Sequence, residues 1–280
     1  MFHGKCVPLQ RITLACNSVK IRKVIDALEQ FAPLPLQEGF DNAGLQVGLT
    51  EAEVSGALLC LDVTEAIVDE AIRRECNLIV AHHPLIFHKL AHVTGCNYVE
   101  RAVVKAIKND IVIVAMHTNM DNARGGVNYK IAGKMGLINV SFLGEQRTVE
   151  GVDGASGVVG EFAEPMEAQA FLSLLKERFG VACIQANELL QRPIRRVALC
   201  GGAGAFLLGD AIRVGADAFV TGEMHYHEFF GHEQEIQIAV IGHYQSEQYT
   251  NEIFRDIIFS ECPGVRCCMA ETNTNPIHYI

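Results

Sequence analysis

Three short runs in this 280-residue chain place histidine and carboxylate side chains directly after apolar stretches. Leu78-Ile79-Val80-Ala81 runs into His82-His83-Pro84, and Ile111 to Met116 runs into His117-Thr118-Asn119-Met120-Asp121. Ile238 to Ile241 runs into Gly242-His243-Tyr244-Gln245-Ser246-Glu247. Neighbouring strand side chains point to opposite faces, so two adjacent imidazoles are poor packing material at a strand end. A chain leaving the strand can instead splay the pair so that each ring reaches a different metal ion. In an open parallel sheet, ligands collect beyond the carboxyl ends of the strands, where His82, His83, Asp121 and His243 all stand. His243 and Glu247 are four residues apart where a helix begins, so both can face one way. A single ion wants three or four ligands. Five or six residues, two of them carboxylates able to bridge, suit a pair of ions about 3.5–4 Å apart that share a water or hydroxide. Cysteine is missing from the set, which argues against the closed thiolate cage of a structural zinc. Mixed imidazole and carboxylate suits Zn²⁺, Fe²⁺, Mn²⁺ or Co²⁺ without choosing among them.

Other residues have less defined roles. His117 is open to four readings: a sixth ligand, a group behind the ligands, a proton donor near the shared water, or a histidine closing its strand end by hydrogen bonding. Asp41-Asn42 is explained by a turn alone; its alternative is to orient a substrate or a metal ligand. Gly201-Gly202-Ala203-Gly204 stands between a strand and a helix, where backbone amides can cradle a phosphate. Its spacing is neither G-x-G-x-x-G nor a P-loop with its lysine, and a tight turn explains it equally well. In Thr221-Gly222-Glu223-Met224-His225, Glu223 and His225 are candidates to line the cavity and contact a substrate. His227, Glu228 and His232 read as a polar helix face, and His88 and His92 as surface or loop residues.

The elements that must position these groups alternate regularly. A helix over 19–32, with Ser18 as its cap and Pro33 as its stop, carries Ile21, Val24, Ile25, Leu28 and Phe31 at helical spacing. Phe40 to Gly48 reads as a turn feeding a short strand. Strands are predicted at 55–62, 78–82 and 111–116, with helices at 65–76, 97–109 and 126–136. After a Gly-rich break at 150–157 come strands at 157–162, 182–187, 194–200, 218–222, 237–242 and 265–270, with helices at 165–179, 205–214 and 245–260. Strands alternating with helices imply right-handed crossovers and mostly parallel or mixed sheets flanked by helices. The expectation is two α/β domains, 19–150 and 151–280, with the site in the cleft between them. His243 and Glu247 come from the second, and the chain is free to cross back. Residues 1–18 are expected to form a disordered extension.

Composition sets outer bounds. With 49% hydrophobic and 20% charged residues the chain reads as globular. Its 23 basic against 33 acidic residues leave a formal charge of −10, which argues against general nucleic-acid binding. No apolar run approaches the roughly 18 residues of a membrane span. The 10 cysteines are scattered without C-x-x-C spacing, and Cys60 and Cys200 sit inside apolar strands, which points to free thiols and a reducing, cytoplasmic setting.

Taken in order, Phe40 to Gly48, His82-His83-Pro84, His117 to Asp121, Thr221-Gly222-Glu223 and Gly242 to Glu247 resemble the dinuclear-metal family known as GTP cyclohydrolase 1 type 2 homologues, or Nif-three-like proteins. The resemblance runs from about Val19 onward. It implies a two-domain α/β fold with two metal ions in the cleft and commonly a ring-shaped homohexamer with its sites facing inward. It also implies His82, His83, Asp121, His243 and Glu247 as the ligands. At this length the chain resembles the short form that lacks the family's central inserted domain. The activity in the family label opens the purine imidazole ring and releases formate, chemistry that a hydroxide formed at a pKa near ~7 can start. The same nucleophile serves for a phosphodiester, an amide or another ring, and no motif here reads a guanine. The expectation is therefore a dinuclear hydrolase of a nucleotide-like or other small substrate, with Glu247 or His117 handling protons. A non-catalytic metal-binding scaffold, adaptor or regulatory protein is the alternative; the open, carboxylate-rich ligand set favours the enzyme. A Rossmann-type nucleotide site at Gly201 to Gly204 lacks the glycine spacing.

Overall fold

Ala57–Cys60, Leu78–Ala81, Val112–Ala115, Ala218–Thr221 and Gln237–Val240 are strands in which every residue is buried. Parallel strands covered by helices on both faces require such sequences. They form the centres of two sheets in the computed structural model, which describes residues 18–278 and 280. The expected extension lies, but for Ser18, outside the described residues.

In chain order the elements begin α1 (Ile21–Phe31), β1 (Gly44–Val47), β2 (Ala57–Cys60), α2 (Glu65–Arg73), β3 (Leu78–Ala81), α3 (Tyr98–Lys108), β4 (Val112–Ala115), α4 (Thr118–Asn122) and α5 (Val127–Met135). They continue β5 (Ile138–Leu143), β6 (Arg147–Val149), β7 (Val152–Gly154), β8 (Gly157–Met166), α6 (Ala168–Phe179), β9 (Gln185–Ala186) and β10 (Ile194–Cys200). The last are α7 (Leu208–Arg213), β11 (Ala218–Thr221), β12 (Gln237–Val240), α8 (His243–Glu247), α9 (Thr250–Glu261) and β13 (Cys267–Met269). The first sheet has the order β1-β4-β3-β2-β13, parallel except for β1; the second has the order β5-β8-β10-β11-β12-β9, parallel only through β10, β11 and β12. A single apolar core joins them, running from Ile21, Leu28 and Val80 through Met120, Ile131 and Phe254 to Phe171, Leu199 and Val220. Among the described residues no helix is long and apolar enough to cross a membrane.

Several boundaries differ from expectation for local reasons. The sheets do not divide at residue 150: β5 already belongs to the second sheet, and β13 crosses back to pair with β2. The Gly-rich break is a β6–β7 hairpin, with Glu150 and Gly151 at φ of 52° and 84° forming its two-residue turn. Ser18 does not cap α1. Its hydroxyl donates to Glu53 (2.6 Å), and the first helical amides donate instead to Ala52 and Thr50 carbonyls at 3.0 Å. The helix expected from residue 245 is two helices, because Thr250 Oγ1 donates to the Glu247 carbonyl (2.7 Å) and α9 starts afresh there. The helix expected at 205–214 begins as a 3₁₀ turn, Gly204–Leu207.

The two parallel stacks position the site. The carboxyl ends of β2, β3 and β4 carry Asp62, His82-His83 and His117, and those of β10, β11 and β12 carry Gly201-Gly202, Gly222-Glu223 and His243. These edges meet.

Candidate metal centre

Parallel register pairs Ala81 with Ala115, so the residues after β3 lie beside those after β4. His82 is completely buried and donates Nδ1–H to the Met116 carbonyl (2.9 Å). His83 turns the other way and donates Nδ1–H to Asp62 (2.7 Å). His117 donates Nδ1–H to Asp41 (2.7 Å), and His243 donates to Glu223 (2.9 Å). All four imidazoles thus spend Nδ1 on an outer acceptor, which leaves Nε2 of each as the atom a metal could take. Metal-ligating histidines are held in this way.

Those Nε2 atoms converge. Glu247 Oε2 lies 3.0 Å from His83 Nε2, 3.1 Å from His243 Nε2 and 3.7 Å from His82 Nε2. Asp121 Oδ1 lies 3.5 Å from His82 Nε2, and the His83 and His243 Nε2 atoms are 3.3 Å apart. Three trios bring one ligand atom from each residue within 4.8 Å: His82-His83-His117, His83-His243-Glu247 and His82-Asp121-Glu247. His82 Nε2 and Asp121 Oδ1 are buried without a hydrogen-bond partner. Orphaned polar atoms are costly in a protein interior, and a cation between them would satisfy both. The residues present fit a metal.

The charge balance points the same way. Burial pushes His82 down to about 4, so it stays a neutral donor. Burial would also lower His83 and His243, but Asp62 and Glu247 outweigh it at His83, raising it to about 10, and Glu247 and Glu223 raise His243 to about 9. Burial beside the Glu247 charge raises Asp121, whereas the surrounding imidazoles hold Glu247 well below the ordinary carboxylate range. Without metal, the centre therefore gathers positive charge as protons around Glu247.

The Gly201-to-Gly204 turn builds this floor. Its amides are taken by side chains: Gly201 by Asn128 (2.9 Å), Gly202 by Ser246 (3.0 Å) and Gly204 by Thr221 (3.0 Å). Those three amides are not available for a phosphate. Gly202, at φ +57°, lets the backbone pass directly under the Glu247 carboxylate, where a Cβ would overlap Oε1.

The remaining candidate residues separate. Asp41 contacts His117 and Thr118, with no contact to the open cavity of its own; burial would raise it, but the His117 bond and the other donors hold it at about 2. Asn42 Nδ2 donates to the Ile86 carbonyl (2.6 Å), tying its loop to the one after His83. Glu223 anchors His243 and also lines a 530 Å³ cavity with His225. His227 is exposed, and His232 pairs with Glu235 (2.9 Å). Asp62 is the participant that sequence reasoning missed, although its place at the end of an apolar strand, like His82 and His117, was a usable signal. A 490 Å³ cavity walled by Phe40, Phe87 and Phe206 opens onto His117, Asp121, His243 and Glu247.

The GTP cyclohydrolase 1 type 2 homolog of Clostridium perfringens is 35% identical over 230 residues, covering 82% of this chain and 87% of that protein. The homolog from Lactococcus lactis is 31% identical over 269 residues, covering 94% of this chain and 100% of its own. The crystal structure of Staphylococcus aureus protein SA1388 superposes with a TM-score of 0.85 at 26% identity, covering 94% of this chain and 99% of that one. Residues 19–276 match the profile of the family described as Duf34/NIF3 (NGG1p interacting factor 3), and the chain belongs to that family.

Proposed function

We propose that this chain is a metal-dependent hydrolase of a nucleotide-like or other small substrate, working with two divalent ions. One observation carries the reading: three outward-anchored imidazoles, His82, His83 and His243, converge on the Glu247 carboxylate at the floor of an open cavity, with the equally anchored His117 beside two of them. His83, His243 and Glu247 would hold one ion, and His82, Asp121 and Glu247 the other. Such a pair supplies Lewis acidity and lowers the pKa of water toward ~7.

The chain's own residues do the remaining work. Asp62, Glu223 and the Met116 carbonyl hold His83, His243 and His82 in place, so the ligands need little reorganisation. Phe40, Phe87 and Phe206 give the 490 Å³ cavity apolar walls that limit water around a bound substrate. We assign proton exchange with the substrate to His117, because Asp41 fixes its Nδ1–H and the ring lines the cavity through its other edge. The family resemblance adds a ring of six copies and the scattered free thiols a cytoplasmic setting, which light scattering and fractionation test.

The experiment is a panel of nucleotides including GTP, phosphodiesters and cyclic amides, offered to protein loaded with Mn²⁺, Zn²⁺, Fe²⁺ or Co²⁺. Turnover of one class, lost in a folded Asp121→Ala variant, is the expected result. No turnover with the metals bound would leave the scaffold reading in its place. His117→Ala should keep its metal and lose turnover; loss of an ion instead would make His117 a ligand.

A further inference from the structure

The segment after β13 lies across the mouth of the centre and reaches it from outside. The Ala270 amide extends the ladder by donating to the Leu59 carbonyl (2.9 Å). Glu70, whose side chain is 0% exposed, then accepts from the Glu271 amide (2.9 Å), the Thr272 amide (3.0 Å), the Thr272 hydroxyl (2.7 Å) and Arg74 (2.9 Å). A buried carboxylate with this many donors is a fixed anchor. Beyond it, Thr274 Oγ1 donates to Asp62 Oδ2 (2.8 Å), while Asp62 Oδ1 accepts from His83. Pro276 and Ile277 line a 400 Å³ cavity together with Asp62, His83, His243 and Tyr244.

The two adjacent histidines are therefore held by different means. His82 leans on a backbone carbonyl that follows β4 and cannot swing. His83, with 22% of its side chain exposed, leans on a carboxylate that is free to rotate unless its second oxygen is also held. Thr274 supplies that second bond.

We propose that Thr274 is a positioning residue for His83, and that residues 271–277 are a strap setting the metal affinity of the His83-His243-Glu247 trio without touching the His82-Asp121-Glu247 trio. The proposal rests on the two-ion reading given under Proposed function. Replacing a partner behind a metal-bound histidine typically weakens affinity about 10- to 100-fold.

The test is calorimetric titration of the metal-free full chain with Mn²⁺, alongside thermal melting. Thr274→Val, which keeps shape and loses the hydroxyl, should weaken one of two binding events about tenfold and spare the other. Thr274→Ser should restore it, and Asp62→Asn should weaken the same event further. A Thr274→Val protein that binds both ions like the wild type, or weakens both equally, overturns the proposal. If the wild type takes a single Mn²⁺, the two-ion reading fails by itself. The strap then stands only if Thr274→Val weakens that ion and has no effect in a His83→Ala background. Absence of any Mn²⁺ binding overturns both.

Discussion

Gly202→Ala adds one methyl group at the point where backbone and candidate metal centre meet most closely. The residue sits at φ +57°, where an alanine costs about 1–2 kcal/mol. Its new Cβ would overlap Glu247 Oε1 and stand 3.2 Å from Cδ and 3.4 Å from His243 Cε1. Relief by backbone movement is blocked, because the Gly202 amide is bound to Ser246 (3.0 Å) and its carbonyl accepts the Gly222 and Glu223 amides at 2.9 Å each. The carboxylate must therefore retreat by roughly 1 Å to regain an ordinary separation of ~3.5 Å. A displacement of that size costs on the order of 100-fold in rate where positioning matters. The variant should fold, melt a few degrees lower and bind Mn²⁺ at least tenfold more weakly by calorimetry. Adding Glu247→Asp, which withdraws the carboxylate by one methylene, should recover part of the binding. A Gly202→Ala protein with wild-type metal affinity would refute the reasoning, since Glu247 would then not need the space beneath it.

Gly133, by contrast, is exposed in the last turns of α5 with nothing within 4 Å of a Cβ, so Gly133→Ala should stabilise by up to ~1 kcal/mol in urea unfolding. Glu70 tests the strap's anchor through pH: burial would raise its carboxyl, but its donors hold it at about 2 against an ordinary 4.5. A depressed folded value stabilises above the unfolded one, so about 3 kcal/mol is present above pH 4.5 and lost as pH falls through 2. Glu70→Gln should therefore be markedly less stable than wild type at pH 7, with the gap closing near pH 2. In the metal-free centre His83 and His243 are raised, to about 10 and 9, so these imidazoles hold protons that a cation must displace. Raised values favour the protonated form until pH climbs through them. Mn²⁺ affinity should accordingly rise from pH 6 to pH 9 with proton release, detected as a dependence of binding heat on buffer ionisation enthalpy; affinity independent of pH would contradict it.

Much of the centre is legible in the sequence because it is built at strand ends. An apolar run marks each strand, and a polar residue directly after it marks the edge, so His82, His83, His117 and His243 fall where chemistry is expected. The acceptors behind them are less legible: Asp62 shares the strand-end signal, but which histidine each acceptor meets does not show in the sequence. Asp41 meets His117 across 76 residues and Asp62 meets His83 across 21, and composition does not distinguish such carboxylates from turn residues. Gly201 to Gly204 has the look of a phosphate turn; only the contacts of Asn128, Ser246 and Thr221 reveal that its amides are occupied. The short β5 lacks a clean alternation, with four of its six residues half-buried or exposed, and so carries little signal before its partner β8 is known. The return of β13 to β2 depends on pairing that no local pattern encodes.

Metal content of the purified chain, measured after dialysis against excess Mn²⁺ and removal of unbound ion, tests the central claim most directly. The account predicts two ions per chain in the wild type and at most one, weakly held, in Glu247→Ala, because Glu247 belongs to two of the convergent trios. Wild-type protein that retains no ion, or a Glu247→Ala variant that keeps the wild-type complement, would contradict it.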